Sequence, residues 1–321
     1  MTSYQMLDVR VVDIEPVTAQ VKRFTLADPQ GRPLPAFSGG SHIIVQMQDG
    51  EQRYSNAYSL LSSPFELDRY QIAVRRESPS KGGSDFMHDR LAIGDTLTIS
   101  TPNNLFALAP EAQHHVLIAG GIGITPFMAH LHELQRSGQR YHLHYCFHSE
   151  EHNAFQQQLT QAPFTDNVSC HVSSLNGRLD LARTLADVEP GAHIYVCGPA
   201  ALNEAVYRTA AELGIAPGRL HSEAFAAEDT AGGAFTLVLA RSGIELEVAE
   251  DMTILQALEN SKAAKVECLC REGICGTCET RIVEGEADHR DQYLSDEERA
   301  AQQTLLICCS RAKGNRLVLD L

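Results

Sequence analysis

Residues 268–280 read CLCREGICGTCET, and a second cysteine pair, Cys308 and Cys309, follows near the C-terminus. The other three of the nine cysteines lie far apart along the chain, at Cys146, Cys170 and Cys197. The N-terminal residues MTSYQMLDVRVVDIEP lack the basic start and apolar run of an export signal, so we expect a cytoplasmic protein with reduced thiols. A cysteine cluster in a reducing compartment is typical of metal binding.

The spacing of four of these cysteines is specific. Cys270, Cys275 and Cys278 stand in the pattern Cys-x4-Cys-x2-Cys, and Cys308 follows after 29 intervening residues. Three thiolates on one tight loop and a fourth from a distant segment can surround two irons, so the pattern predicts a [2Fe–2S] cluster. Zinc is the alternative, but zinc sites favour paired Cys-x2-Cys units or histidine partners, and the stretch contains a single such unit.

The residues between and beside the cysteines suit the same site. Gly273 and Gly276 let the backbone fold close to the inorganic sulfides, and their N–H groups can donate hydrogen bonds to sulfur. Arg271 places a positive charge in the loop, which we expect to raise the reduction potential. Cys268 and Cys309 fall outside the spacing and are interpreted as spare buried thiols.

Two glycine-containing turns in the middle of the chain favour a dinucleotide site. The apolar run HHVLIAG is followed by GGIGITP and then by a helical pattern, so this turn joins a strand to a helix. Such a turn lets a pyrophosphate approach the backbone at a helix N-terminus. A later strand, AHIYVCGP, also ends in a glycine turn, and open α/β sheets bind ligands at these strand ends. The residues assigned to nucleotide binding are Gly120, Gly121, Gly123, Pro126, Gly198 and Pro199.

The stretch HSEEHNAF, near the end of the second strand of this region, bears on the choice between NADH and NADPH. Glu150 or Glu151 could accept hydrogen bonds from the adenosine ribose and would repel a 2′-phosphate. This favours NADH over NADPH. The alternative, that both are solvated surface acids, stays open.

The patterning divides the chain into three domains. Residues 1–107 contain short strands separated by turn residues, which predicts an antiparallel β-barrel. Residues 108–228 alternate strands with helices, which predicts a doubly wound α/β domain. Residues 229–321 contain a hairpin, a helix, the cysteine loop and a final strand, which predicts a small α+β domain. The stretch 228–233, EDTAGG, is interpreted as a linker.

The charge and hydropathy of the chain exclude some partners. Lys and Arg number 26 against 41 Asp and Glu, a formal net charge of −15, which argues against nucleic acid and anionic membrane surfaces. No run reaches the ~20 apolar residues that a membrane-spanning helix needs. Residues 229–321 carry 10 basic and 17 acidic side chains, a net charge of −7. This acidity either docks a basic partner or only aids solubility.

The two glycine turns and the cysteine spacing together resemble the ferredoxin-NADP reductase superfamily. The domain order resembles the phthalate dioxygenase reductase family, and the resemblance covers the whole chain through VKRFTL, GGSHIIVQM, SNAYSLLSSP, STPNNLFAL, AAKVECLCREGICGTCET, EGEADHRDQY and SRAKGNRLVLDL. It implies an FMN-binding β-barrel, an NAD(P)-binding domain and a β-grasp plant-type ferredoxin domain. Within the family the similarity is greatest to reductases whose oxygenase partners split carnitine.

The resemblance also assigns residues to the flavin site. The family signature is Arg-x-Tyr-Ser followed by an aliphatic residue, and this chain departs from it at the first position, reading Asn56, Ala57, Tyr58, Ser59, Leu60. Tyr58 is expected to pack on the isoalloxazine and Ser59 to bond its polar edge. Asn56 lacks the positive charge of the family arginine.

Positive charge for the flavin phosphate is therefore expected from other residues. The candidates are Arg75 and a loop that resembles the family's Gly-Gly-Ser phosphate loop, formed by Lys81, Gly82, Gly83 and Ser84. On the nicotinamide side the resemblance places Thr125, Cys197 and Glu223 at the hydride-transfer site, with Phe225 as the aromatic side chain beside the flavin.

These assignments predict an NADH-dependent reductase. A nicotinamide delivers two electrons at once and a [2Fe–2S] cluster accepts one, so a flavin must stand between them. The resemblance implies a Rieske-type oxygenase subunit as the electron acceptor. Two alternatives stay open: a reductase for another oxygenase, such as an aromatic O-demethylase, and a redox sensor that does not turn over.

Overall fold

The computed structural model describes residues 4–80, 82–225 and 232–321. The chain forms two compact units. One contains residues 6–54 and 58–225, and the other contains residues 232–321 together with residues 4–5 and 55–57. None of the helices in the described part has the length and apolar character that crossing a bilayer requires.

The first unit begins with the predicted antiparallel strands. Seven strands and a short helix occupy this region: β1 Met6–Pro16, β2 Val21–Ala27, β3 Ser41–Asp49, β4 Gln52–Ser59, β5 Tyr70–Arg75, α1 Gly83–Asp89, β6 Thr96–Ser100 and β7 Asn103–Asn104. The strands form one sheet in the order β4-β3-β6-β1-β2-β5, and β7 pairs with β3. Alternate residues of β1, such as Val9 and Val11, are fully buried because successive side chains of a strand point to opposite faces.

An α/β layer follows in the same unit. Its helices and strands are β8 His114–Gly120, α2 Thr125–Ser137, β9 Arg140–Phe147, α3 Gln156–Leu159, β10 Val168–Val172, α4 Ser173–Asn176, α5 Leu181–Ala186, β11 Ala192–Cys197, α6 Ala200–Glu212 and β12 Leu220–Glu223. The five strands are all parallel and run in the order β10-β9-β8-β11-β12. This is a doubly wound order, and it reverses between β8 and β11.

The core of this unit is shared by its two sheets. Val21, Leu61 and Phe106 of the antiparallel region pack in one cluster with α2 and with the strands β8 and β9. His130 of α2 is buried in this cluster, and one of its ring nitrogens lies 2.9 Å from the Phe106 carbonyl oxygen. Burial lowers the pKa of His130 to about 4, so the imidazole is neutral and burying it does not bury a charge. These contacts hold the antiparallel sheet against the α/β layer.

The second unit is an α+β fold. It contains β13 Phe235–Leu239, β14 Glu245–Val248, α7 Ile254–Ser261, β15 Glu279–Glu284, β16 Ala287–Asp288, α8 Asp296–Ala301, β17 Thr304–Leu306, β18 Arg311–Ala312 and β19 Arg316–Leu319. A mixed sheet in the order β14-β13-β19-β15-β17 carries α7, and β16 pairs with β18. Parallel pairing of β13 with β19 joins the first and last strands, as a β-grasp fold requires.

Local signals in the sequence determine where α7 begins. Thr253 caps its N-terminus by accepting a hydrogen bond from the Gln256 N–H, and the Gln256 side chain bonds back to Thr253. A capping box of this kind contributes about 1 kcal/mol. Ile254, Leu255 and Leu258 then bury the apolar face of the helix against the sheet. This helix precedes the cysteine loop directly in the chain.

Candidate functional site

The four cysteines selected by spacing lie buried in the second unit. Cys270, Cys275 and Cys278 are fully buried on the loop between α7 and β15, and Cys308 follows β17 with 4% of its surface exposed. The Cys278 and Cys308 sulfurs, which are far apart in the sequence, lie within 4.8 Å of each other. Three loop thiols and one distant thiol, enclosed in an apolar unit, fit a [2Fe–2S] cluster.

The cysteine loop needs glycine at two positions. Gly273 and Gly276 have φ angles of 74° and 73°, in the left-handed region that other residues avoid. A Cβ at Gly276 would lie 2.3 Å from the Tyr293 ring, and one at Gly273 would lie 2.6 Å from the Cys309 Sγ. The glycines therefore allow close packing of the loop against these two side chains, in addition to the approach to sulfide that the sequence suggested.

The loop also contains interactions that the sequence did not reveal. The Thr277 hydroxyl oxygen accepts a hydrogen bond from the Leu269 N–H at 2.9 Å and lies 3.1 Å from the Cys275 Sγ. The Glu272 N–H donates to the Cys270 Sγ at 3.4 Å. Arg271, expected to act through its positive charge, forms a two-pronged ion pair with Glu259 of α7, which offsets part of that charge.

The two glycine turns meet in the first unit. GGIGITP follows β8 and CGP follows β11, and these neighbouring strands lie on the two sides of the point where the strand order reverses. A 3-10 turn over Gly121–Ile124 leads into α2, and Pro199 leads into α6. In doubly wound sheets this crevice at the carboxyl ends of the strands is where ligands bind. The arrangement fits a dinucleotide.

The glycines of these turns have two different roles. A Cβ at Gly123 would lie 2.2 Å from the Cys197 carbonyl oxygen, and one at Gly198 would lie 3.0 Å from the Gly120 Cα. These three glycines therefore let the two turns pack backbone against backbone. Gly121 differs, because its φ is 56° and a Cβ there would meet no atom within 4 Å. The left-handed backbone at position 121 therefore favours glycine, while the space beside its Cα is open.

Of the three residues expected at the hydride-transfer site, two end neighbouring strands and one begins the helix after a third strand. Thr125 is buried at the start of α2, where its hydroxyl donates to the Ile122 carbonyl at 3.1 Å. Cys197 ends β11 and is the register partner of Glu223, which ends β12. The Ser59 hydroxyl, from β4, lies 3.5 Å from a Glu223 carboxylate oxygen. The tertiary fold thus brings Ser59, Cys197 and Glu223 together.

Burial controls the protonation of this group. Desolvation raises the pKa of Glu223 to about 8, against a smaller opposing effect of the Ser59 hydrogen bond. Burial raises the pKa of the Cys197 thiol, and the Glu223 carboxylate raises it further. At neutral pH the cysteine is a neutral thiol and most of the glutamic acid retains its proton. The Glu223 side chain can therefore hold a proton at a carboxyl oxygen.

A raised carboxyl pKa predicts a pH-dependent stability. Between the ordinary pKa of 4.5 and about 8, the unfolded chain has released the Glu223 proton and the folded chain has kept it. The free energy of unfolding should therefore fall as the pH rises through this window and be unaffected by this group below it. Glu223→Gln should be about 3 kcal/mol more stable at pH 8, relative to wild type, than it is at pH 5.

Urea unfolding of both proteins at the two pH values measures this difference. Glu204→Gln, on the exposed side of α6, is the matched control and should leave the pH profile unchanged. Parallel pH profiles for wild type and Glu223→Gln would contradict the assignment of the buried proton.

The flavin residues predicted from the signature lie on β4. Asn56 and Tyr58 are half-buried, while Ser59 and Leu60 are buried at the end of the strand. Arg75 ends β5 and pairs with Glu77 at 3.0 Å. Because β4 and β5 are the two ends of the strand order, both candidate groups lie on edge strands of the sheet. Half-buried polar side chains on edge strands fit a bound cofactor.

The predicted phosphate loop is ordered by its serines. The Ser84 hydroxyl accepts a hydrogen bond from the Glu77 N–H at 3.2 Å and lies 3.1 Å from the Ser80 hydroxyl. Gly82 has a φ of 104°, and α1 begins at Gly83. Lys81, the predicted cationic member of the loop, lies outside the described residues, as does most of the 228–233 segment interpreted as a linker.

The other two predicted nucleotide and flavin residues lie at the surface. Phe225 follows β12 and is 41% exposed. Glu151 is exposed in the 3-10 turn after β9. Both lie at the same edge of the parallel sheet as the glycine turns, because each follows the carboxyl end of a strand.

This combination of parts defines a class of protein. A doubly wound nucleotide layer packed on an antiparallel sheet, in one chain with a four-cysteine ferredoxin fold, is the architecture of an electron-transfer reductase. The profile of the 2Fe-2S iron-sulfur cluster binding domain matches residues 237–313. The profile of the dimethylamine monooxygenase subunit DmmA-like N-terminal domain matches residues 100–220.

Full-length relatives identify the family. The chain is 65% identical to the carnitine monooxygenase reductase subunit of Escherichia coli over 100% of both chains. It is 48% identical to the Acinetobacter baumannii protein of the same name over 99% of both. The solved structure of phthalate dioxygenase reductase superposes with a TM-score of 0.76 and 35% identity, covering 98% of both chains. The chain belongs to this family of flavin and iron–sulfur reductases of oxygenase systems, which confirms the resemblance drawn from the sequence.

Proposed function

We propose that this chain is the reductase component of a two-component oxygenase that splits carnitine into trimethylamine and malic semialdehyde. The observation that carries the proposal is the 65% identity, without a gap in coverage, to a carnitine monooxygenase reductase subunit. Two further features support it: the glycine turns meet at the ends of β8 and β11, and the four cysteines are buried in the β-grasp unit. Carnitine would bind to the oxygenase, so this chain requires no carnitine site of its own.

The electron donor in this proposal is NADH and the flavin is FMN. Bound FMN would supply the one capability that the other groups lack, which is to take up a hydride and release single electrons. The glycine turns after β8 and β11 would bind the pyrophosphate of the nucleotide. The exposed Glu151 after β9 supports NADH, since it would disfavour a 2′-phosphate.

The protein contributes binding, orientation and a proton on the Glu223 carboxyl group. Tyr58 would pack on the flavin ring, and Phe225 would cover it from the nicotinamide side. Thr125 and Cys197 would position the nicotinamide, since both are buried beside the glycine turns, at the start of α2 and at the end of β11. Glu223 holds its proton at a carboxyl oxygen within reach of the Ser59 hydroxyl. Cys270, Cys275, Cys278 and Cys308 would hold the cluster.

The domain boundaries follow the same assignment. We assign residues 1–107 to FMN binding, residues 108–228 to NADH binding and residues 229–321 to the cluster. The β-grasp unit beginning at β13 supports the last of these.

Flavin binding should depend on Arg75. Asn56 lacks the charge of the family arginine, and Arg75 has an exposed ion-pair partner in Glu77 that a phosphate could replace. Arg75→Ala should weaken FMN binding by tens of fold, on the order of 2 kcal/mol for a lost charge-assisted contact.

Fluorescence titration of flavin-free protein with FMN measures the dissociation constant. Arg69→Ala, which removes a similar exposed ion pair with Asp68, should leave it unchanged. Equal affinities of wild type and Arg75→Ala would show that the phosphate is held elsewhere.

The partner in this proposal is a Rieske-type oxygenase subunit. The net charge of −7 on residues 229–321 supports docking of a basic surface near the cluster loop, because opposite charges raise the encounter rate. Turnover with the oxygenase should then fall as salt screens the attraction. A flat salt dependence would show that the acidity only aids solubility.

One reconstitution tests the function. The purified reductase, NADH and a purified carnitine oxygenase component should release trimethylamine, and cytochrome c serves as a control acceptor. Failure with carnitine, together with turnover of an aromatic methyl ether by its own oxygenase, would replace the substrate assignment and keep the reductase. Negligible reduction of cytochrome c as well would favour a redox sensor.

A further inference from the structure

The cluster site contains a fifth thiol. The sulfur atoms of Cys268, Cys278 and Cys308 all lie within 4.8 Å of one another. Cys268 is half-buried, while Cys278 and Cys308 are buried. The sequence led us to treat Cys268 as a spare thiol because it lies outside the ligand spacing, but the fold places it beside two of the four ligands.

The backbone holds Cys268 in this position. The N–H of the next residue, Leu269, donates to the Thr277 hydroxyl at 2.9 Å, which ties the start of the cysteine loop to the turn that carries Cys278. Arg271, with a left-handed φ of 59°, then turns the chain toward Cys275. Cys268 is therefore part of the ligand loop, at a defined place on the side of Cys278 and Cys308.

Cys309 provides a contrast. It is adjacent to Cys308 in sequence and is fully buried, but its Sγ lies 3.8 Å from the Leu306 carbonyl oxygen and beside Gly273. It does not belong to the three-thiol group. A cysteine next to a ligand in sequence therefore does not automatically lie beside the other ligands, and the position of Cys268 is a property of the fold.

We propose that Cys268 is a reserve ligand of the [2Fe–2S] site. Its thiolate binds iron in place of Cys278 when the Cys278 thiolate is displaced or missing. The inference rests on the ligand assignment made above and deepens it. With Cys268 in place of Cys278, the ligand set still contains three loop thiolates and the distant Cys308. With Cys268 in place of Cys308, all four would come from one short segment, which surrounds two irons less well.

The exchange is a substitution at iron without oxidation or reduction. One iron–sulfur bond to Cys278 breaks and one to Cys268 forms. The Cys268 thiol releases its proton to water as its sulfur binds, and the Cys278 thiolate takes up a proton when it leaves. Loss of iron from the native site would then require displacement of both the Cys278 and the Cys268 thiolates.

Serine variants of the full chain test the proposal by iron and sulfide content and by the visible and reduced-state EPR spectra. Cys278→Ser should retain at least about tenfold more iron than the Cys268→Ser, Cys278→Ser double variant, with an altered EPR spectrum. The matched control is the Cys309→Ser, Cys278→Ser double variant, which should retain as much iron as Cys278→Ser alone. Cys268→Ser alone should have the wild-type spectrum. Equal loss of iron in Cys278→Ser and in the double variant with Cys268→Ser would overturn the proposal, as would loss of the cluster from Cys268→Ser alone.

A second measurement leaves all four assigned ligands in place. Iron release from the holoprotein to an excess of chelator should be several-fold faster for Cys268→Ser than for wild type, and unchanged for Cys309→Ser. Equal release rates for wild type and Cys268→Ser would contradict a reserve ligand. Neither measurement uses the oxygenase, so failure of the carnitine assignment and failure of this inference are separable.

Discussion

Cys275→Ser is expected to remove the [2Fe–2S] cluster and to reduce NADH-dependent reduction of cytochrome c to background. Cys275 is fully buried on the cysteine loop, and its Sγ is held 3.1 Å from the Thr277 hydroxyl. It lies outside the three-thiol group that contains Cys268, so we expect no other cysteine to replace it. A site that loses one thiolate without a substitute does not hold the cluster.

The same variant should still bind flavin and be reduced by NADH. Apart from Asn56, the residues assigned to those steps, among them those at the ends of β4, β8, β11 and β12, lie in the other compact unit. Bleaching of the flavin absorbance by NADH under anaerobic conditions measures this partial reaction, and iron content measures the loss of the cluster. Cys309→Ser, a buried thiol next to a ligand, should retain the cluster. A full iron–sulfur spectrum in Cys275→Ser would remove Cys275 from the ligand set.

The second large effect is expected from Gly123→Ala. A Cβ at Gly123 would lie 2.2 Å from the Cys197 carbonyl oxygen and 2.5 Å from its carbon, and both atoms belong to a buried strand end. A backbone neighbour cannot move aside as a flexible side chain can, so the two glycine turns must separate. We expect the variant to lose about 3 kcal/mol of stability, as overpacked cores do, and to lose most NADH oxidation because Cys197 moves with the turn.

Gly218→Ala is the matched control for this prediction. Its Cβ would meet no atom within 4 Å, and its backbone is not in the left-handed region. Urea unfolding and NADH oxidation with ferricyanide as acceptor should be near wild type for Gly218→Ala and strongly reduced for Gly123→Ala. Normal stability and activity of Gly123→Ala would show that the turns tolerate separation, and that the glycine there is not required for packing.

Much of the fold could be predicted from local patterns. The buried runs HHVLIAG and AHIYVCG are strands β8 and β11, and the helical pattern that ends at Gly138 is α2, with Gly138 in the left-handed conformation. Strand β4, which carries the flavin signature, has no comparable pattern in its sequence. Its sequence QRYSNAYS lacks alternation of apolar and polar residues, and most of its side chains are only half-buried. A strand at the edge of a sheet has fewer neighbours, so fewer of its side chains are buried and its sequence alternates less clearly between apolar and polar residues.

The sequence by itself determined the chemistry of the cluster site, because the number and spacing of thiolates follow from chain geometry over a short loop. It also determined where the two glycine turns lie, because each follows an apolar run long enough to be a buried strand. Only the tertiary structure decided what these parts do together. The pairing of Cys197 with Glu223, the approach of Ser59 to that carboxylate and the place of Cys268 beside Cys278 and Cys308 all join residues from separate segments. Contacts of this kind depend on strand order and packing, and the spacing along a single sequence does not contain them.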